Sequence, residues 1–366
     1  MNRRDFLKSA GLVSASAVLP EGLCLFGQNE VPHGWRSFEV TTRIDVLEPA
    51  GVTRVWAPGA MIRVTPFQRT LSNRFGAPGG ATELVERKAD GLAMIVASFP
   101  AGVKPVLTVA SRIATRDYTV DLSKPGSVPK PNRAELNYFL RPTKFVPTDG
   151  IVKATAVRIT RGAKTDVEKA RLLYEWTVNN TFRDPKARGC GRGDIRVMLE
   201  SGVLGGKCAD LNALYVGLAR AIGLPARDVY GIRVAKSEFG YKSLGASPEN
   251  ISKAQHCRAE VYLSGYGWVP VDPADVRKVV LEEPPGNRPL NDYRVKMARA
   301  RLFGSWEMNW IAYNFAHDVV LPGSSGTPVA FLMYPQAETA EGRLDCLDPE
   351  TFKYEITARE IPPART

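Results

Sequence analysis

A sulfur nucleophile needs a thiolate, a base to form it, and a third group to hold that base in one orientation. With only three histidines in 366 residues, the search for a base is short. His33 precedes the first strand-like segment, and His317 lies in an aromatic and polar run with no obvious companion. His256 opens the run HCRAEVYLSGYGWVPVDP, which carries Asp272 before its final proline. Upstream, in LGGKCADLNALYVGLARAIGLPAR, Cys208 stands where a glycine pair gives way to apolar residues at helical spacing.

The elements that must position these residues can be read from the same stretches. Leu211, Leu214, Tyr215, Leu218 and Ile222 recur on one helical stripe, Gly223 ends the helix and Pro225 blocks its continuation. Gly205 and Gly206 read as a loop allowing close backbone approach. Cys208 then lies in the first helical turn, where the helix dipole favours a thiolate. It also shares the stripe of Leu211 and Tyr215, the usual place of a buried, inert thiol. Spacing alone leaves both readings open.

Strand parity constrains the partners further. Alternation puts Ala259, Val261 and Leu263 on one face and His256, Arg258, Glu260 and Tyr262 on the other. If Val269 and Val271 join the apolar face, His256 and Asp272 share the opposite one only when the pairing sum is even, as when Asp272 lies opposite Arg258. That predicts an odd or bulged connection around Gly265. An even, unbulged loop separates the two side chains and leaves Asp275 as the carboxylate to consider.

Composition bounds the rest. The chain is long and apolar enough, at 44% hydrophobic, for two moderate domains with real cores. Five cysteines (Cys24, Cys190, Cys208, Cys257, Cys346) without a C-x-x-C or H-x-x-x-H pair argue against a zinc module or other structural metal. The net charge of +11 is scattered without interleaved aromatic and basic residues, so nucleic acid is not the expected partner. The opening MNRRDFLKSAGLVSASAVLPEGLCLFG resembles a twin-arginine export signal over residues 1–27, with cleavage after Ala17 or nearer Gly27. Its apolar run is broken by Pro20 and Glu21, short of the ~20 residues a spanning helix needs. Export to the periplasm or medium, without a stable membrane anchor, is the expectation.

Short alternating runs between Trp35 and Leu122 suggest an immunoglobulin-like antiparallel β-sandwich in a domain spanning 28–150, with Pro-rich linkers around a short helix at its end. A helix capped by Asp166 opens a second domain, 151–320. Strand candidates in TPVAFLMYP and FKYEITARE make residues 321–366 a C-terminal β extension.

The residues GGKCADLNALYVGLARAIGLPARDVYGIRV and QHCRAEVYLSGYGWVPVDP resemble the transglutaminase-like superfamily across roughly 165–280, with its order Cys, His, Asp. That resemblance implies an α+β, papain-like core in which the cysteine helix packs on an antiparallel sheet bearing His256 and Asp272. It implies a Cys208 thiolate attacking a peptide or glutamine-type carboxamide through a thioester, with no cofactor. Water as acceptor gives a peptidase or amidase; an amine gives a crosslinking or amine-transferring acyltransferase. A non-catalytic binding module of the same fold is the third reading. The Cys208 N–H is one expected oxyanion donor, with Trp176 and Gln255 as candidates for the second. Cys257, beside the base, either pairs with Cys190 or is a buried thiol.

Overall fold

A computed structural model describes residues 23–25, 34–126, 128 and 131–362. The export-signal reading of residues 1–27 therefore falls almost wholly outside the described residues.

Two five-stranded antiparallel sheets form a sandwich. One runs in the order Leu23–Leu25, Gln68–Gly76, Val106–Thr115, Arg36–Val46, Phe352–Ile361; the other in the order Gly342–Arg343, Gln336–Thr339, Thr53–Pro58, Leu92–Phe99, Ala81–Arg87. In the strand Arg36–Val46 every second residue from Phe38 is buried, the alternation expected of a strand with one face on a core. Ile44, Val55, Phe75, Ile95, Leu107 and Phe352 meet between the sheets. Residues 321–362 are therefore not a separate appendage. Gln336–Thr339 pairs with Thr53–Pro58, and Phe352–Ile361 with Arg36–Val46, so the chain returns to complete both N-terminal sheets. Within TPVAFLMYP no strand forms; Val329 makes only an isolated bridge to Val319.

The middle of the chain builds a second core. A four-stranded antiparallel sheet runs in the order Gly267–Val271, Gln255–Leu263, Ala226–Arg233, Trp310–Asn314. The helix Cys208–Ala221 packs on it, and the helices Gly150–Ile159 and Asp166–Asn180 close over the far side. The cysteine helix is consequently not amphipathic in its setting: each of its residues is buried, as suits the central helix of a domain. Its polar members are satisfied locally. Asp210 accepts the backbone N–H groups of Arg192, Gly193 and Lys207, and Arg220 donates to the carbonyls of Ala226 and Arg141. Helix Asp166–Asn180 starts one residue earlier than expected, with Thr165 as its cap and Glu168 closing a capping box.

Candidate active site

The turn after the cysteine helix forms as its sequence dictates. Gly223 takes φ +88° and Leu224 N–H reaches back to the Ala219 carbonyl, a left-handed cap that turns the chain into strand Ala226–Arg233. At the other end, a Cβ on Gly206 would sit 2.5 Å from Asp210 Cβ, so the approach to Cys208 tolerates only glycine there. Cys208 is the first helical residue and is 3% exposed. Among the described residues, no acceptor takes its backbone N–H.

The hairpin carrying the other two groups has the expected parity. Val261 faces Val269, Ala259 faces Val271 and Leu263 faces Gly267, so residues 264–266 form an odd loop and Asp272 follows on the register of Arg258. His256 Nε2 lies 2.7 Å from Asp272 Oδ2. That leaves Nδ1 free to serve Cys208, which lines the same cavity as the ring and whose thiol the ring helps to depress. The structure thus brings Cys208, His256 and Asp272 together. Gln255 also lines the cavity that opens on Cys208, and its buried Nε2 has no partner among the described residues. Trp176 is not among the lining residues; it packs against the edge of the helical core.

Two indoles brace the hairpin on the face that carries His256 and Arg258. Trp310 donates to the His256 carbonyl at 2.8 Å, and Trp306 to the Val271 carbonyl at 3.3 Å. The Arg258 guanidinium lies over both rings. Asp272 is also the cap of helix Pro273–Glu282, its Oδ1 accepting the Asp275 N–H at 3.0 Å, with Pro273 at the first helical position. Asn212, one turn along the cysteine helix, donates to the Cys257 carbonyl and to Asp272 Oδ1, tying helix to hairpin.

A second carboxylate belongs to the site. Asp275 Oδ1 is 3.3 Å from His256 Nε2 and 2.6 Å from Arg233 Nη2. Burial opposes its ionisation, but Arg233 and then His256 hold it well below the usual carboxylate range. Asp272 moves the other way, raised by burial and by its neighbour Asp275. Burial also works against a charged His256, yet Asp275 and Asp272 together outweigh burial and Arg233 and lift the ring to about 9. His256, Asp272 and Asp275 converge closely enough to offer a cation three ligand atoms, but Arg233 already brings a positive charge to Asp275.

The sulfur atoms around Cys208 complete the electrostatics. Cys190 and Cys257, then His256, depress the Cys208 thiol well below its ordinary value despite burial. Cys190 and Cys257 are themselves raised well above it and are free and buried. The Cys190 thiol can donate its one proton to the Gln255 carbonyl, 3.3 Å away, or to the Cys208 thiolate. Both shifts, Cys208 down and His256 up, favour a thiolate beside an imidazolium. Sequence reasoning named Asp275 only as a fallback and missed Arg233 and Asn212. Asn212 lies one helical turn after Cys208, a signal that spacing could have supplied.

Residues 153–273 match the family model of the transglutaminase-like superfamily. This segment belongs to that superfamily. The transglutaminase-like core so defined contains Cys208, His256 and Asp272. A protein of Haemophilus influenzae is 39% identical over 236 residues, a match covering 62% of this chain and 63% of the relative. The crystal structure of a candidate cysteine protease from Cytophaga hutchinsonii superposes with a TM-score of 0.50 at 14% identity, over 89% of this chain and 98% of that one. The shared fold therefore extends well beyond the transglutaminase-like core. The periplasmic domain of TgpA from Pseudomonas aeruginosa aligns more loosely, at a TM-score of 0.31 and 16% identity, over 64% of this chain and 90% of that domain.

Proposed function

We propose that this protein is a cysteine-dependent acyl-transfer enzyme that opens peptide or glutamine-type amide bonds, with water as the usual acceptor. The observation that carries the reading is Cys208 at a helix start, lining one cavity with a histidine whose Nε2 lies 2.7 Å from a buried aspartate. In this scheme the Cys208 sulfur attacks the carbonyl carbon. The oxyanion is met by the Cys208 N–H and by Gln255 Nε2, neither of which has another partner among the described residues. His256 gives its proton to the departing amine, leaving a thioester and a neutral ring. Held by Asp272, the ring then takes a proton from water, the thioester breaks, and the Cys208 thiolate and imidazolium return.

Amine transfer is a second reading with an observation of its own. A cavity of about 660 Å³ lies on the other side of Gly189, Cys190 and Tyr334, residues it shares with the cavity on Cys208, and gives room for an acceptor. Product analysis with peptide libraries, with and without an added primary amine, tests both. Free carboxylate products alone support hydrolysis; amide-exchanged products support transfer; equal turnover by Cys208→Ala overturns both.

We also propose that the protein acts in the periplasm or outside the cell after twin-arginine export. The support is Arg3-Arg4 ahead of a weakly apolar run, and no helix among the described residues is long and apolar enough to cross a membrane. Replacing both arginines by Lys is expected to retain the protein in the cytoplasm; unchanged export removes this reading.

A further inference from the structure

The cavity on Cys208 encloses about 620 Å³, and its charged wall is of one sign. Arg183, Arg188, Lys207, Arg233, Lys253 and Lys278 line it, and among the described residues no Asp or Glu side chain does. Their counter-ions stand behind the wall. Arg233 is held by Asp275, Arg188 by Asp345 at 2.7 Å, and Arg183 and Lys278 share Glu282. Lys207 and Lys253 make no ion pair with any described residue. They come from different elements: Lys207 directly precedes the nucleophile, and Lys253 lies in the exposed loop entering the His256 strand. Lys278 carries a further cost, since burial and Arg233 press its ammonium toward the neutral form. An arriving anion relieves that cost and pairs the two free lysines, whereas a basic segment meets repulsion on every side.

We infer that the substrate of Cys208 is an acidic peptide whose carboxylates, from Glu or Asp side chains or from a free C-terminus, enter this cavity beside the amide that is attacked. The inference rests on Cys208 being the nucleophile, and the test separates the two. Cys208 in the folded protein is alkylated with iodoacetate, an anion, and with neutral iodoacetamide, and the ratio of rates is compared among wild type, Lys207→Gln and Lys253→Gln. The imidazolium of His256 favours the anion in all three, so the change in ratio is the readout. Each substitution is expected to lower the ratio by about two- to fivefold, with the effect shrinking as salt is raised. Lys253→Gln, on an exposed loop, carries the test if Lys207→Gln does not fold.

A second arm measures protection of Cys208 from iodoacetamide by short peptides in which a central Gln is flanked by Glu or by Gln, each with a free or amidated C-terminus. Stronger protection by the Glu-flanked set assigns the anion to side chains; stronger protection by the free-acid set assigns it to the terminus. A ratio unmoved by both substitutions, or equal protection by all four peptides, overturns the inference. A wild-type Cys208 inert to both reagents overturns the nucleophile itself.

Discussion

Asp272→Asn separates the two tasks of one carboxylate. Asp272 Oδ2 takes the His256 Nε2 hydrogen bond at 2.7 Å, while Oδ1 accepts the Asp275 N–H at 3.0 Å and Asn212 Nδ2 at 3.3 Å. Asparagine has a single acceptor oxygen, so it cannot serve both sides. One orientation turns an NH₂ group on the ring; the other uncaps the helix and gives the ring a neutral acceptor in place of a charged one. A charge-assisted bond contributes about 1.5–3 kcal/mol, so turnover near neutral pH is expected to fall about tenfold to a hundredfold. Loss of the cap costs about 1 kcal/mol of stability. The pH profile is the sharper assay. In the wild type Asp275 and Asp272 lift His256 to about 9, and loss of the proton that the departing amine needs sets the basic limb of kcat/KM. Removing one negative charge moves that limb toward the ordinary value of 6.5, and Asp275, still 3.3 Å from the ring, keeps it from arriving there. A variant with wild-type turnover and an unmoved basic limb refutes the assignment of Asp272 as the orienting group.

Other consequences can be checked separately. Near pH 7, iodoacetamide is expected to modify Cys208 faster than Cys190, Cys257 or Cys346, because the depressed thiol is Cys208 and the other three are raised; peptide mapping reads this directly. Asp275→Asn leaves Arg233 buried without its anion, so urea unfolding is expected to show a loss of about 3–5 kcal/mol, well beyond that of Asp272→Asn. Gln255→Ala is expected to lower kcat by about a hundredfold with little change in stability, since Gln255 Nε2 has no partner among the described residues; an unchanged kcat removes it from the oxyanion site.

What was legible in the sequence was local. The odd connection between Leu263 and Gly267 followed from alternation of apolar residues on two adjacent strands, and the helix from Cys208 followed from its stripe and its Gly223 stop. What was hidden depended on distant segments. The strand Gln68–Gly76 carries buried Gln68, Ser72 and Asn73 instead of an apolar alternation, because Gln68 bonds to Ala312 and Asn73 to Ala60 across the fold. Asp275 looked like an ordinary helical aspartate until Arg233, from another strand, was seen to hold it. The C-terminal strands read as an extension because pairing with residues near position 40 leaves no trace in their own pattern. Yet Tyr334, Cys346, Phe352 and Tyr354 from that segment line the cavity on Cys208. The Asp272-Pro273 pair starts a helix, with Asp272 as its cap and the proline in its first turn.

The most direct test of the account is acyl-enzyme trapping. The folded protein is mixed with a peptide library, quenched in acid within one turnover, and its intact mass and peptide map are recorded. The account predicts an added acyl mass on the peptide containing Cys208, lost on incubation with water or amine and absent from Cys208→Ala. An adduct on another residue, or turnover by Cys208→Ala at the wild-type rate, contradicts it.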